Sequence, residues 1–360
     1  MTDSGAELRL SDLDYQLPDE LIAQMPAEPR DASRLLVARR QTGALEDHVF
    51  TELPSLLRAG DVLVRNDTRV FPARSFFRRA TGGRIEVLFL CALPGGAEPG
   101  ERWEALLRGR PRLGETLESE ALGADWGVRC VERLGDGRWV VENLAPRPVL
   151  ALLQDAGVTP LPPYITSPLA DAERYQTTYA CSLGSAAAPT AGLHFTPGVD
   201  RDLASVGVAV EHVTLHVGLG TFKPLQAETL DAATLHSERF SVEAGVWARL
   251  VEARRAGRRV VAVGTTSMRV LEHLALAADG GESPAALPSD VIDGETSLFI
   301  RPGFRFRMVD ALVTNFHLPR TSLLALVMAF CGVEQTRALY RHAVLERYRF
   351  YSFGDAMLAL

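Results

Sequence analysis

Downstream of the connector TPLPPYITSP the chain alternates short apolar runs of strand length with helical segments, and this alternation restricts the fold more than any other feature. A helix opens near Thr196 and Pro197 and ends around Gly207, before the strand VAVEHVTLHV. Ser241 then caps a helix running to Gly257, the strand RRVVAV follows, and the turn GTTS opens the helix MRVLEHLALA. Strands separated by whole helices cannot pair as hairpins, so the pattern implies a largely parallel sheet covered by helices. SLFIRPG and DALVTNF add two further strands, and the helix TSLLALVMAF is apolar enough to be buried on most sides.

Upstream, DELIAQ reads as a helix, and SRLLVARR and ALEDHVF read as a hairpin around QTG. Thr51 reads as the N-cap of ELPSLLR, with Gly60 ending that helix before the strand DVLVRN. From Phe71 to Leu144 the runs RIEVLFLCAL, RWEALLR, WGVRCVE and RWVVENL are separated by TGG, PGGAEPGE and LGDG, the pattern of a small inserted barrel or sandwich. RPVLALLQDAG, a helix, leads out of it.

Composition narrows the function. With 360 residues and 47% hydrophobic content, the chain can bury one large or two moderate cores. The start MTDSGAELRL lacks a basic segment followed by an apolar one, and no run approaches the roughly 18 apolar residues of a membrane span, so a cytoplasmic location is expected. Cys91, Cys130, Cys181 and Cys331 lack CxxC spacing, which argues against a zinc site or iron–sulfur cluster; they read as buried, unpaired thiols. A net charge of -7 counts against a protein that wraps nucleic acid over its whole surface. A local basic stretch remains: Arg65, Arg69, Arg74, Arg78, Arg79 and Arg84, opposed within it only by Asp67, form either a phosphate-contacting surface or a set of solvated strand residues.

Polar segments fall at the ends of the expected strands, where open α/β sheets collect ligands: AAPTAGLHFT, TLHVGLGTF, HSE, VGTTSMR, TNFHLP and YRFYSFGDA. His212, Thr214 and His216 share one face of a strand and read as a hydrogen-bonded face rather than a metal pair. VGTTSMR is either an anion-binding turn at a helix N-terminus or a plain helix cap. His194, His236 and His317, set among small and hydroxyl residues, suit proton transfer if the fold brings them together with Glu238 and Asp355.

Taken in order, these segments resemble the signature of the S-adenosylmethionine:tRNA ribosyltransferase-isomerases of queuosine biosynthesis. PAEPRDASRLLV, DVLVRNDTRVFPAR, TGGRIEVL, LPPYI and ERYQTTYA extend the likeness over nearly the whole chain. Departures are small: Thr321 and Ser322 follow LPR in the reverse of the usual order, and Leu235 stands where Met is common before HSE.

The resemblance implies an α/β fold, a mixed or parallel sheet with helices, plus an inserted small β-barrel domain. Residues 1–68 and 150–360 would form the discontinuous α/β catalytic domain and residues 69–149 the barrel, with the active site near their junction. It implies a transferase that moves and isomerises the ribosyl group of S-adenosylmethionine onto 7-aminomethyl-7-deazaguanine at the wobble position of a tRNA with a GUN-type anticodon. Epoxyqueuosine-tRNA, adenine and methionine result. S-adenosylmethionine is then a consumed substrate, no metal or other cofactor is implied, and the protein is expected to be a monomer with no membrane partner.

On this reading His194, His216 and His317 are candidates for proton transfer, with Glu238 and Asp355 as orienting or amine-binding carboxylates. Thr265, Thr266 and Arg269 are candidates for the methionine carboxylate, and Thr190, Gly218, Gly220, Asn315 and Tyr351 complete the substrate-binding set. Tyr175, Tyr179 or Tyr351 would stack on the extruded base, and Arg69, Arg74, Arg78 and Arg79 would contact tRNA phosphates. A methyltransferase would need an early Gly-rich strand-to-helix turn, which the chain lacks, and a noncatalytic RNA-binding module would leave the polar strand ends unexplained.

Overall fold

The computed structural model describes residues 8–93, 100–135, 137–218, 229–230, 232–280 and 290–360. The hairpin β1 (Arg34–Arg39) and β2 (Ala44–Val49) comes first, and Gly43 supplies the positive φ of its turn, 74°. A single helical turn α1 (Leu53–Leu56) and the strands β3 (Val62–Asn66) and β4 (Thr68–Val70) follow. Next come β5 (Arg74–Arg79), β6 (Arg84–Ala92), β7 (Arg102–Arg108), β8 (Thr116–Ser119), β9 (Gly123–Gly135), β10 (Arg138–Asn143) and helix α2 (Val149–Ala156). After β11 (Ser182–Ser185) the chain runs through α3 (Pro197–Ser205), β12 (Ala209–Leu215), β13 (Glu238–Glu243), α4 (Ala244–Arg255) and β14 (Val260–Val263). It ends with α5 (Gly264–Asp279), β15 (Val291–Thr296), β16 (Ala311–Asn315), α6 (Ser322–Cys331), α7 (Val333–Leu345) and β17 (Ala356–Ala359).

The chain divides into two compact units, residues 1–68, 162–182 and 188–360 in one and residues 69–161 with 183–187 in the other. The first contains a nine-stranded mixed sheet in the order β15-β13-β12-β3-β14-β16-β17-β1-β2. Its middle strands β12, β3, β14 and β16 are mutually parallel, while β17 is antiparallel to β16 and parallel to β1. Every residue of β3, β14 and β16 is buried, because helices cover parallel strands on both faces; hence their unbroken apolar runs. On one face Leu35, Val37, Leu63, Val261, Val313 and Leu358 pack with Phe50, Phe195 and Leu203 into one core.

The second unit is a closed barrel, β10-β7-β6-β5-β8-β9. Alternation along β5 turns Ser75 and Phe77 inward and Arg74, Phe76 and Arg78 outward. Trp126 fills the interior, stacked on Phe89 with centroids 5.6 Å apart and edge-on to Phe77 at 4.9 Å. Residues 150–161, placed in the α/β part from the sequence, group with the barrel. Val158 and Arg74 exchange backbone hydrogen bonds of 3.1 and 2.7 Å, and α2 packs on β5.

Local departures from the sequence reading have identifiable causes. SLFIRPG is not a strand; the strand is the preceding VIDGET, a polar alternating run that pairs with β13 alone at the edge of the sheet. Ser241 lies inside β13, and α4 begins after Glu243 without a side-chain cap. Thr51 caps nothing; Glu52 accepts the Val49 N–H at 2.9 Å instead, and only Leu53–Leu56 is α-helical. DELIAQ forms a short 3-10 turn, Asp19–Leu21. Thr196 does cap α3, accepting from the Val199 N–H at 3.3 Å. None of the four cysteines forms a disulfide; Cys130 and Cys331 are buried, Cys91 is half-buried and Cys181 is exposed.

Trp126 is the largest of the fully buried side chains. Its replacement by Ala is expected to destabilise the protein by about 3–5 kcal/mol, read as a lowered denaturant midpoint, because the barrel cannot collapse into so large a void.

Candidate active site

Because β3, β12, β14 and β16 run parallel, their C-terminal ends lie along one edge of the sheet, and β1 and β17, antiparallel to β16, bring their N-terminal ends to it. Asn315 stands opposite Ala356, which pairs with Leu35. β13 returns antiparallel to β12 and starts at the same edge, with Phe240 opposite Leu215. Ser33, Asn66, His216, Gly218, Glu238, Thr265, Thr266, Asn315, His317 and Asp355 therefore collect there, where apolar strand interiors give way to polar ends. Gly220 lies outside the described residues.

Asn66, unassigned in the sequence reading, ties this edge together. Its amide nitrogen donates to Leu215 O at 3.0 Å and Thr266 Oγ1 at 3.2 Å; its oxygen accepts from the N–H groups of Leu215 at 3.0 Å and Thr68 at 3.1 Å. Both donors and both acceptor positions of the amide are used, as complete burial requires.

The histidines differ in what they can do. His194 ends a 3-10 turn that starts at Thr190, is buried, and stacks on Phe50 at 5.0 Å. The Asn315 amide nitrogen donates to Tyr351 O at 3.1 Å and, from the same group, to His194 Nε2 at 3.1 Å. His194 Nε2 is thus an acceptor, and Nδ1 carries the proton given to Ser33 Oγ at 2.7 Å. His317 is equally buried: its Nε2 meets Thr314 Oγ1 at 3.0 Å, its N–H donates to Tyr340 Oη at 3.0 Å, and its carbonyl accepts from Tyr15 Oη at 2.5 Å. Burial pushes both imidazoles down to about 3, so both are neutral in ordinary buffers.

His216 is only half-buried. Its Nδ1 lies 2.8 Å from Thr68 Oγ1, which is also 3.4 Å from Ser182 O; with the Thr68 proton on Ser182 O, His216 donates from Nδ1 and has a lone pair on Nε2. Burial lowers its pKa and neighbouring Asp67 opposes that shift. Asp67 in turn accepts from Thr214 Oγ1 at 2.7 Å and Cys181 Sγ at 3.2 Å. Along the shared strand face, His212 Nε2 meets the Arg65 guanidinium at 3.2 Å. His236 is exposed.

Other candidates are committed elsewhere. Arg269 pairs with Glu238 and donates to Leu298 O at 3.0 Å and Thr296 O at 3.2 Å, while the other Glu238 oxygen accepts the Gly218 N–H at 2.9 Å. Its place in the structure is thus to hold Glu238 and the end of β12. Asp355 accepts the N–H groups of Arg34 at 3.0 Å and Arg349 at 2.8 Å, clamping the starts of β1 and β17. Tyr175 and Tyr351 are buried, and the Arg65 guanidinium covers the ring of Tyr179 at 3.9 Å.

In the structure the arginines of the basic stretch are partly countered by glutamates. Adjacent barrel strands bring Glu86 to Arg74 at 3.1 Å, Glu120 to Arg78 at 3.2 Å and Glu115 to Arg79 at 2.7 Å; Arg84 also meets Glu120, at 3.1 Å. Arg69 lies on β4. Glu272, also unassigned from the sequence, is buried on α5 and accepts the N–H groups of Arg307, Met308 and Val309 at 2.8–3.0 Å, fixing the approach to β16.

A family model described as queuosine biosynthesis protein matches residues 10–359. The chain is 51% identical over 354 residues to an S-adenosylmethionine:tRNA ribosyltransferase-isomerase of Rubrobacter xylanophilus, covering 98% of each. It is 48% identical over 364 residues to one of Symbiobacterium thermophilum, covering 98% of this chain and all of the relative. The crystal structure of an S-adenosylmethionine tRNA ribosyltransferase from Thermotoga maritima matches with a TM-score of 0.54 and 37% identity, over 97% of this chain and 100% of that one.

The neutral histidines give a pH prediction. A group at about 3 in the folded state and 6.5 unfolded takes up protons on unfolding, so its contribution is present above pH 6.5 and is lost as pH falls through and below that value. Between pH 7 and pH 5, His194 and His317 should each cost on the order of 2 kcal/mol. Denaturant titrations at the two pH values should show this loss in the wild type and a smaller one in His194→Gln.

Proposed function

The chain belongs to the S-adenosylmethionine:tRNA ribosyltransferase-isomerase family of queuosine biosynthesis, and on that premise we propose which of its residues carry the reaction. The enzyme transfers and isomerises the ribosyl moiety of S-adenosylmethionine to 7-aminomethyl-7-deazaguanine at the tRNA wobble position. Epoxyqueuosine-tRNA forms, adenine and methionine leave, and the sulfonium compound is a consumed substrate rather than a cofactor.

The observation that carries the assignment is His216: half-buried just past the end of β12, with its Nδ1 hydrogen-bonded to Thr68 Oγ1 and its Nε2 on the opposite side of the ring. The reaction needs a base for the proton beside the sulfonium, an acid for departing adenine and a neutral acceptor amine. His216 is the proton carrier in this reading. His194 and His317, neutral and bonded through their rings, shape the site around it. The first turn of α5 at Thr265 and Thr266 offers N–H groups without intrahelical acceptors to the donor carboxylate, and Glu238, fixed by Arg269, orients the acceptor. A monomer in the cytoplasm is the accompanying proposal. The location is supported by the tRNA substrate, and among the described residues no single helix is long and apolar enough to cross a membrane.

Donor labelled separately in ribose and methyl tests the reaction. Ribose label should enter the tRNA with equal release of adenine and methionine, whereas methyl label in the tRNA without adenine release would sink the reading. For the site, His216→Gln should lower the single-turnover rate roughly a hundredfold with the fold intact. A near-normal rate would remove His216 from the chemistry.

A further inference from the structure

The segment DVLVRNDTRVFPAR ends β3 with Asn66 and opens β4 with Thr68, and between them stands Asp67, the acid that opposes the basic stretch in sequence. Its main chain is tied on both sides. The N–H donates to Val213 O at 3.0 Å, and the carbonyl accepts the N–H groups of Cys181 at 2.9 Å and Ser182 at 3.3 Å. The half-buried carboxylate is held as well: Oδ1 accepts from Thr214 Oγ1 at 2.7 Å and Oδ2 from Cys181 Sγ at 3.2 Å. Both donors are neutral, and among the described residues Asp67 forms no ion pair. Thr214 is two residues before His216, whose N–H continues the pairing with β13 by donating to Arg239 O at 2.9 Å. Side chains two apart on extended backbone share a face, so the carboxylate stands on the face that carries the imidazole. Ser182, held by the Asp67 carbonyl, supplies the oxygen 3.4 Å from Thr68 Oγ1, and Thr68 Oγ1 meets His216 Nδ1 at 2.8 Å.

An imidazole that gains a proton in a half-buried place needs a negative neighbour, since burial disfavours its charged form. Burial is the main cause that lowers the His216 pKa; Asp67 opposes it from the β3–β4 link, and Arg239 on β13 adds to it. Arg239 pairs with Glu295 at 3.5 Å, and Glu238 beside it is committed to Arg269. We infer that Asp67 is the positioning residue of His216: its carboxylate, fixed by Thr214 and Cys181, balances the positive charge that the imidazole acquires with a proton, and its main chain holds the Ser182 segment against which Thr68 orients the ring. The inference rests on His216 as the proton carrier and goes beyond it by assigning the group that anchors and balances it.

The test titrates the His216 imidazole by NMR in full-length, histidine-labelled enzyme, its resonance assigned by its loss in His216→Gln, beside the pH profile of the single-turnover rate. Asp67→Asn keeps the size of the side chain and removes its charge. The His216 pKa should fall, because the imidazolium loses its favourable neighbour. The acid limb of the rate profile should move to lower pH with it, and the plateau should drop about tenfold as the base weakens. A merely structural Asp67 would lower the rate at every pH and leave the limb in place. An unmoved His216 titration in a variant that melts like the wild type overturns the inference, as does a loss confined to the affinity for S-adenosylmethionine. Should the variant fail to fold, the wild type decides: the side-chain carboxyl carbon resonance of Asp67 should show an inflection at the His216 pKa, and a trace without one overturns the inference. A His216 pKa that falls while the rate limb stays upholds the pairing and removes His216 from the chemistry instead, so the two failures are told apart.

Discussion

Four hydrogen bonds from the Asn66 side chain hold the ends of β3, β12 and α5 at fixed separations. Parallel strands need such a tie, because the ladder stops where the strands end and each loop leaves in its own direction. Leu215 is bonded through both its N–H and its C=O, so the backbone just before His216 has no freedom to rotate. Thr68, two residues after Asn66, is placed by the same amide and in turn fixes the imidazole. One neutral amide thereby helps to place the imidazole proposed to carry the proton, without adding a charge beside it.

Charge is handled differently in the two units. In the barrel, Glu86 on β6 and Glu115 and Glu120 flanking β8 meet Arg74, Arg79 and Arg78, so arginines that cluster along the chain find partners across it. In the α/β unit, buried carboxylates act as clamps for backbone N–H groups: Asp355 at the starts of β1 and β17, Glu272 before β16, Glu238 at the end of β12. Through these bonds each carboxylate holds part of the frame in which the histidines sit.

The legible parts of the sequence were those decided by neighbours along the chain. QTG between two apolar runs specifies the β1–β2 hairpin, Thr196 followed by Pro197 starts α3, and the apolar runs VVAV and ALVTN specify buried parallel strands. That polar residues at their ends would gather follows from parallelism alone. What was not legible depends on which strands become adjacent. Asn66 acquires its role because β12 and α5 lie beside β3, and Ser33 because the start of β1 reaches His194. The edge strand was misplaced for a related reason: VIDGET has an exposed, polar face and SLFI is more apolar, but Ile300 is buried without entering a ladder.

The position of β17 has a consequence for how the protein comes into being. This strand, the last of the described strands in chain order, lies inside the sheet between β16 and β1, with Leu35 beside Ala356 and Val313 beside Leu358. On the ribosome, β1 has its hairpin partner β2 at once but must wait for residues 50–359 to be translated and released from the exit tunnel before its other neighbour, β17, exists. At about 5–20 residues per second that is an interval of tens of seconds. The barrel, whose strands are consecutive in the chain, closes on local pairings well before then. Once the barrel has closed, a nascent chain carries one formed unit beside an open-edged sheet until β17 emerges, and its exposure to aggregation and to chaperones is greatest in that interval.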